Sequence, residues 1–327
     1  MHHRPLPLST ALQPLRAPPS GSAPLREALP DRPVAGGAAA APRPAQEERG
    51  EGGLAAGGGA GHHGAVHSPA DRATAPPSGR GLSAPPGTAR AGAARLAELT
   101  SPEAADHRIL LVPIGAVEQH GPHLPLDTDV RIAEHLAHAA ARDLPHRAAV
   151  APALPYGASG EHRPFPGTLW LAVETVTAAL LDLARAARPW AGHTVFVSGH
   201  GGNAEPASAA LRVLRPEAPG SASAWFPRAG VLAAAGRTPD AHAGRTETAM
   251  LLAIAPELVR TGLAEPGATA PLAELLPAIR AGSIADASAN GVLGDPTTAT
   301  AAEGRTLLHL LTEDLRTHLR RVRPLPG

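Results

Sequence analysis

The sequence predicts an α/β fold in which a largely parallel sheet is covered by helices on both faces. Short apolar segments alternate with longer segments of helical periodicity through most of the chain, and this alternation is typical of βαβ units. The first of these segments, Ile109–Ile114, is an aliphatic run bounded by turn residues. Such a run indicates a buried strand.

The other elements follow from the same patterns. Val130–Arg142 has Ala and Leu at helical spacing, so a helix is expected directly after Asp129. Further strands are predicted at Ala148–Pro152, Thr194–Val197 and Ala222–Phe226, and further helices at Val173–Ala187, Ala204–Leu214, Thr248–Val259, Pro271–Arg280 and Ala301–Arg321.

Residues 1–92 differ from the rest of the chain in composition. They are rich in Pro, Ala, Gly, Ser and Arg and contain no aromatic residue. Such a segment cannot bury enough apolar surface to offset the entropy of ordering, so we expect it to be disordered. Residues 93–327 are then predicted to form one α/β domain.

The composition excludes several classes of chemistry. The chain has no cysteine and no lysine, which excludes thiolate ligands, cysteine nucleophiles and Schiff-base lysines. A metal site must therefore use carboxylates and the 17 histidines. The formal net charge is zero, so no nucleic-acid partner is expected. No apolar run approaches the ~20 residues that cross a bilayer, and no signal peptide is evident, so we expect a cytoplasmic protein without a membrane partner.

Acidic and imidazole side chains are concentrated just after the first strand. Glu118, His120, His123 and Asp129 lie there between Gly and Pro residues, where open α/β sheets place their sites. Glu118 and His120 are two residues apart, so both point to the same side of an extended backbone. Carboxylates and imidazoles suit Zn, Mn and Fe. We therefore predict a metal site rather than a polar loop with surface histidines.

Two later segments carry similar groups. His200 follows the strand Thr194–Val197 within glycines that allow a close approach of the backbone to a ligand, although a structural histidine is the alternative. His242 and Glu247 precede the helix predicted from Thr248. The alternatives there are a surface histidine and an acidic residue that stabilises the first helical turn.

Four residues are candidates for contact with a substrate. His123 and His162 are expected near the metal or in the pocket wall, and Trp225 is expected on the third of the later strands. Arg245 could form a two-pronged contact with a substrate carboxylate. Simple solvent exposure is the alternative for Arg245, and an ordinary connecting loop is the alternative for the segment around His162.

The assembled motifs resemble the creatininase family of metal-dependent amidohydrolases. They are EQHGPHLPLDTD from Glu118 to Asp129, GHGGN around His200, and HAGRTE from His242 to Glu247. The resemblance implies a three-layer α/β/α sandwich, homo-oligomers, and hydrolysis of amide bonds with one or two divalent cations. LLPAIRAG and GVLGDPTTATAAEG lie outside these motifs and resemble a branch that trims a C-terminal Val-Tyr dipeptide from a modified precursor peptide.

We hypothesise a ligand set and a mechanism for such an enzyme. Glu118, Asp129 and His200 would hold one cation, and His120 and Asp129 a second, with Asp129 bridging the two. Metal-bound hydroxide would attack the amide carbonyl, and His242 would pass a proton to the leaving amine.

One position departs from the creatinine-hydrolysing branch of the family. That branch has a metal-binding Glu where this chain has Gly202. A second cation would then need another ligand, and Glu247 is the candidate for that role and for a part in catalysis.

Three other functions remain open from the sequence. One is a small-molecule amidohydrolase of the same family that acts on creatinine or formamides. The second is a binding module that uses metal for stability, although structural zinc sites usually have four protein ligands. The third is a metal lyase, which would fit the ligands but not the resemblance.

Overall fold

A computed structural model describes residues 93–144, 147–234, 236 and 240–323. The disorder predicted for residues 1–92 lies outside these residues. Among the helices that the model describes, none combines the length and the apolar character needed to span a bilayer.

The strands form one parallel sheet in the order β1-β3-β2-β4-β5. All four neighbouring pairs are parallel, which confirms the predicted sheet. The short edge strand β1 is the one strand that was not predicted. The strands are β1 Ala94–Arg95, β2 Ile109–Ile114, β3 Ala148–Val150, β4 His193–Ser198 and β5 Ala222–Trp225.

Eight α-helices are present in the described part of the chain. The long ones match the predicted segments, and α8 has the predicted bounds. The helices are α1 Ser101–Ala104, α2 Thr128–Ala141, α3 Val173–Ala191, α4 Ala204–Glu217, α5 Ala229–Ala233, α6 Arg245–Ile254, α7 Leu272–Ala281 and α8 Ala301–Arg321.

Helix α6 differs most from its predicted bounds. It begins at Arg245 because the carboxylate of Asp240 accepts hydrogen bonds from the backbone N–H groups of Arg245 and Thr246. Such a contact satisfies donors that have no partner within a helix. The helix ends at Ile254 and not at Val259, and a 3₁₀ turn follows from Pro256, whose ring removes a backbone donor.

The sheet separates two hydrophobic cores. Alternate residues of β2 and β4 point to opposite faces: Ile109 and Val195 pack with α2, α6 and α8, whereas Leu110 and Phe196 pack with α3 and α4. Helices therefore cover both faces, which confirms the three-layer α/β/α sandwich.

Strand β2 lies at the point where the order of the sheet reverses. The chain leaves β2 for β3 on one side and later returns to β4 on the other. Ile114 and Ser198 are register partners at the carboxyl ends of β2 and β4. The loops that follow these strands therefore meet at the crevice where open α/β sheets bind ligands.

Candidate metal centre

The carboxylate of Asp129 lies at the middle of a buried polar cluster. Its Oδ1 is 3.3 Å from Nε2 of His120, and its Oδ2 is 3.3 Å from Nδ1 of His200. Oε1 of Glu118 also lies 3.3 Å from Nδ1 of His200. All four side chains are buried. The loop after β2, the first turn of α2 and the loop after β4 thus contribute to one site.

Glu247 approaches the cluster from the first turn of α6. Its Oε2 lies 3.8 Å from Nε2 of His120 and accepts a 2.6 Å hydrogen bond from the backbone N–H of Ala243. Ala243 has a left-handed backbone with φ of 49°, which is uncommon for a residue with a side chain. This turn brings His242 and Glu247 to the same region.

Backbone carbonyls orient the two central imidazoles. Nδ1 of His120 lies 3.1 Å from the carbonyl oxygen of Glu118, and Nε2 of His200 lies 3.2 Å from that of Ala158. A carbonyl accepts only, so these two nitrogens carry the protons. The other nitrogen of each ring faces Asp129, where it can bind a cation once its own proton is lost. Metal-binding histidines are typically held in this way.

The residues fit a divalent cation. Four buried atoms at the site have no hydrogen-bond partner: both Oε atoms of Glu118, Nε2 of His120 and Oδ2 of Asp129. Buried polar groups are normally satisfied, and lone pairs that converge at 3.3 Å repel each other unless a proton or a cation lies between them. Imidazole and carboxylate are ligands of Zn, Mn and Fe. In the described part of the chain, Glu118, His120 and Asp129 can place ligand atoms close enough to share one ion.

Burial and mutual charge shift the pKa values of the acidic groups. Burial raises the pKa of Glu118 to about 7 and that of Glu247 to about 8. Burial also opposes ionisation of Asp129, but His120 and His200 outweigh it and lower the pKa of Asp129.

The central imidazoles respond to the same charges. Burial alone would lower the pKa of His120, but Asp129 and Glu247 raise it to about 10. Burial likewise opposes the charged form of His200, and Glu118 and Asp129 raise the pKa of His200 well above its usual value. Without a cation, protons on these two rings therefore balance the carboxylates.

His242 and His162 border the cluster and are joined by Gln119. Nε2 of His242 lies 2.8 Å from the carbonyl oxygen of Gln119, and its Nδ1 lies 3.7 Å from Oε1 of Glu118. The Gln119 amide nitrogen lies 3.0 Å from Nδ1 of His162. Burial lowers the pKa of both imidazoles. They are therefore neutral at pH 7, and Nδ1 of His242 carries a lone pair towards Glu118.

His123 lies beside the cluster and contacts α6. Its Nε2 is 2.8 Å from Oγ1 of Thr248, and burial lowers its pKa to about 4. The imidazole joins the loop after β2 to α6, one residue beyond Glu247. A substrate contact for His123 stays a prediction.

Arg245 and Trp225, two residues predicted to contact the substrate, form hydrogen bonds with other side chains of the protein. Nε of Arg245 lies 2.8 Å from Glu303, and its Nη1 contacts Thr298. A two-pronged contact between Arg245 and a substrate would have to compete with these partners. Trp225 is buried, and its indole N–H donates a 2.8 Å hydrogen bond to Asp314.

A cavity of about 990 Å³ adjoins the cluster and is bordered by Glu247 and Arg245. The residue after Trp225, Phe226, lines it in place of the tryptophan. Its other large side chains are mostly apolar: Ile132, Leu232, Met250, Leu272 and Leu293. The cavity suits an apolar ligand with a few polar groups.

Two residues of the site, Gln119 and Phe226, were not predicted from the sequence. Gln119 accepts from the backbone N–H of Gly121 and donates to the carbonyl of Gly291, so its amide connects the loop after β2 to a distant turn. Its position between Glu118 and His120 was the available signal. Phe226 was placed at a strand end, and only the packing of the cavity indicates its role.

Comparison with known proteins identifies the family. The model of the creatininase family, described as creatinine amidohydrolase, matches residues 97–319. The chain belongs to the creatininase family. Members of this family hydrolyse amide bonds, so the chain is a hydrolase.

Curated members of the creatininase family are similar over most of their length. The mycofactocin precursor peptide peptidase of Mycobacterium ulcerans is 46% identical over 224 residues, which cover 66% of this chain and 86% of that protein. The protein of the same name from Mycolicibacterium smegmatis is also 46% identical with the same coverage. The creatinine amidohydrolase of Pseudomonas putida is 29% identical over 246 residues, 66% of this chain and 90% of that protein.

Solved creatininase structures share the fold. A crystal structure of creatinine amidohydrolase matches 71% of this chain and 99% of its own length with a TM-score of 0.58 and 26% identity. A form described as creatininase Mn matches 71% of this chain and all of its own length, with a TM-score of 0.59 and 27% identity. The family resemblance and the sandwich predicted from the sequence are thereby confirmed.

Proposed function

We propose that the protein is a metal-dependent peptidase that releases the C-terminal Val-Tyr dipeptide from a modified mycofactocin precursor peptide. The observation that carries this proposal is 46% identity to proteins named mycofactocin precursor peptide peptidase. The identity to a creatinine amidohydrolase is only 29%, which makes the peptide the better candidate substrate.

The two oxygens of Asp129 support a site for two cations. Oδ2 faces His200, which Glu118 also approaches, and Oδ1 faces His120, which Glu247 approaches. In this proposal Glu118, Asp129 and His200 would hold one cation, and His120, Asp129 and Glu247 would hold the other. A bound cation would polarise the amide carbonyl and acidify a water molecule.

His242 is proposed to move a proton to the leaving amine. Its Nε2 is held by the carbonyl of Gln119, which leaves Nδ1 as the atom that can accept and release a proton. The lowered pKa of His242 keeps this nitrogen free of a proton at neutral pH. General acid–base catalysis of this kind requires a correctly placed imidazole.

The cavity beside Glu247 is proposed to hold the leaving dipeptide. Its apolar lining, including Phe226 and Leu293, suits the side chains of Val and Tyr, and its volume of about 990 Å³ exceeds the space that a small cyclic amide needs. The proposed substrate contacts remain His123, His162 and Arg245. The indole N–H of Trp225, in contrast, is already hydrogen-bonded to Asp314.

The metal, the oligomeric state and the cellular location are further parts of the proposal. The residues suit Zn, Mn and Fe(II) alike, and similar creatininase structures are described as Zn-Zn type and as Mn forms. We propose one or two such cations per chain, a homo-oligomer and a cytoplasmic location.

The test is incubation of the purified protein with a synthetic decarboxylated precursor peptide that ends in Val-Tyr. Metal content is measured by elemental analysis, and mass spectrometry follows the peptide. We expect loss of Val-Tyr from the metal-loaded protein and none after chelation. Creatinine and a formamide serve as parallel substrates. Cleavage of either small amide with an intact peptide would support the alternative amidohydrolase. No turnover at full metal occupancy would support a binding module.

A further inference from the structure

Glu161 lies at the outer edge of the candidate metal centre. It belongs to the 3₁₀ turn Gly160–His162 in the connection between β3 and α3. Its Oε1 is 3.7 Å from Nε2 of His200 and 3.9 Å from Nε2 of His162. The side chain is 31% exposed, so this carboxylate touches both solvent and the buried imidazoles.

Gly202 leaves open the space that this carboxylate approaches. A β-carbon on Gly202 would clash with the carbonyl oxygen of Ala158 and with Nε2 of His200, and it would lie 3.1 Å from Oε1 of Glu161. A side chain at position 202 and the carboxylate of Glu161 would therefore compete for one volume. Position 202, after β4, has no side chain, and the acidic side chain of Glu161, from the connection between β3 and α3, lies next to it.

The proton on Nε2 of His200 lies close to this carboxylate. Nε2 of His200 carries its proton between the carbonyl of Ala158, at 3.2 Å, and Glu161. Nδ1 of His162 accepts from the amide of Gln119, so its proton is on Nε2, which lies 3.2 Å from Oε1 of Glu118 and farther, at 3.9 Å, from Glu161. An acceptor behind a metal-binding imidazole fixes the ring and strengthens the ligand, and its loss typically lowers metal affinity by about 10–100-fold.

We propose that Glu161 is a positioning residue of the metal centre. Together with the carbonyl of Ala158, its carboxylate orients the imidazole of His200 so that His200 presents a proton-free Nδ1 to the cation. This inference rests on the proposed metal-dependent function and adds to it a residue outside the ligand set. Glu161 acts through His200, because its carboxylate faces Nε2 and not the Nδ1 that faces Asp129.

The test compares Zn²⁺ affinity in three full-length proteins by chelator competition. They are the unsubstituted protein, Glu161→Gln and Glu205→Gln. Glu205 is exposed at the start of α4, three residues after Gly202, so its substitution removes the same charge nearby without touching an imidazole. We expect Zn²⁺ binding about 10–100-fold weaker in Glu161→Gln and unchanged in Glu205→Gln. Glu161→Asp, which keeps a carboxylate, should be intermediate.

A spectroscopic measurement separates positioning from a loss of folding. The visible absorption of the Co²⁺-loaded protein reports ligand geometry, and we expect it to change in Glu161→Gln and not in Glu205→Gln. The metal-free proteins should unfold at the same temperature. Equal Zn²⁺ affinity and identical Co²⁺ spectra in Glu161→Gln would overturn the inference, and metal-dependent release of Val-Tyr by the unsubstituted protein would still stand. An unsubstituted protein that binds no Zn²⁺, Mn²⁺ or Fe²⁺ would overturn the proposed function itself.

Discussion

The Oδ2 atom of Asp129 lies 3.3 Å from Nδ1 of His200, although one residue begins the helix after β2 and the other follows β4. The opposite oxygen of the same carboxylate lies 3.3 Å from His120. Backbone carbonyls hold one proton of each ring away from Asp129. A single carboxylate therefore faces the ligand nitrogens of two imidazoles, and this arrangement favours a role for Asp129 in holding two cations.

Asp129→Asn should remove metal and activity together. The amide has nearly the same shape, but it lacks the charge that a bridging ligand supplies. Elemental analysis should find at most a small fraction of the metal of the unsubstituted protein, and release of Val-Tyr should cease. Asp127→Asn is the matched control, because Asp127 is 39% exposed and pairs with Arg131 at 2.8 Å. Full metal content in Asp129→Asn would contradict the bridging role.

His242→Ala should keep the metal and lose turnover. The proposed proton transfer contributes typically about 10²–10⁴-fold to the rate, so kcat should fall by that factor. Single-turnover kinetics with elemental analysis of the same sample checks both parts. His309→Ala, at an exposed position on α8, is the control and should behave as the unsubstituted protein. Loss of metal from His242→Ala would instead identify His242 as a ligand.

Gly199→Ala should destabilise the protein, whereas Gly201→Ala should not. A β-carbon on Gly199 would clash with the backbone carbonyl of Asp129, and one on Gly201 would meet no atom within 4 Å. Overpacking of this kind costs about 1–3 kcal/mol. Urea denaturation of the metal-free proteins measures the difference. Equal midpoints for the two variants would show that the loop after β4 adjusts without disturbing Asp129.

Metal affinity should rise with pH from about 6 to about 10. The pKa of His120 is raised to about 10 and that of His200 is raised well above its usual value, so both rings are protonated at neutral pH without metal. Glu118 and Glu247, with pKa values of about 7 and about 8, also bind protons in this range. A cation needs the deprotonated forms, and its binding must release protons.

Calorimetry of Zn²⁺ binding in buffers of different ionisation enthalpy gives the number of protons released. We expect more than one proton per chain at pH 7 and fewer at pH 10. Affinity that does not change with pH across this range would contradict the proton arrangement inferred for the metal-free site.

Much of the fold could be predicted because its signals are local. Strand β2 and helix α8 have the predicted bounds, since apolar run length and helical periodicity are properties of neighbouring residues. The start of α6 was missed by three residues, because it depends on the side chain of Asp240, which folds back onto the backbone of Arg245 and Thr246.

The sequence by itself determined which chemical groups the site contains. Without cysteine or lysine, only carboxylates and imidazoles could be ligands, and the spacing of Glu118, His120 and Asp129 already indicated that they share one site. The structure brings these residues together with His200, because β2 and β4 are neighbouring parallel strands and the loops after them meet at one edge of the sheet.

Only the tertiary structure determined which side chains surround these candidate metal ligands. Glu161 meets His200, Gln119 joins His162 to His242, and Trp225 turns to Asp314. Each of these contacts joins segments that are far apart in the chain. Such contacts depend on strand order and on the packing of particular side chains, and no local pattern of residues encodes either.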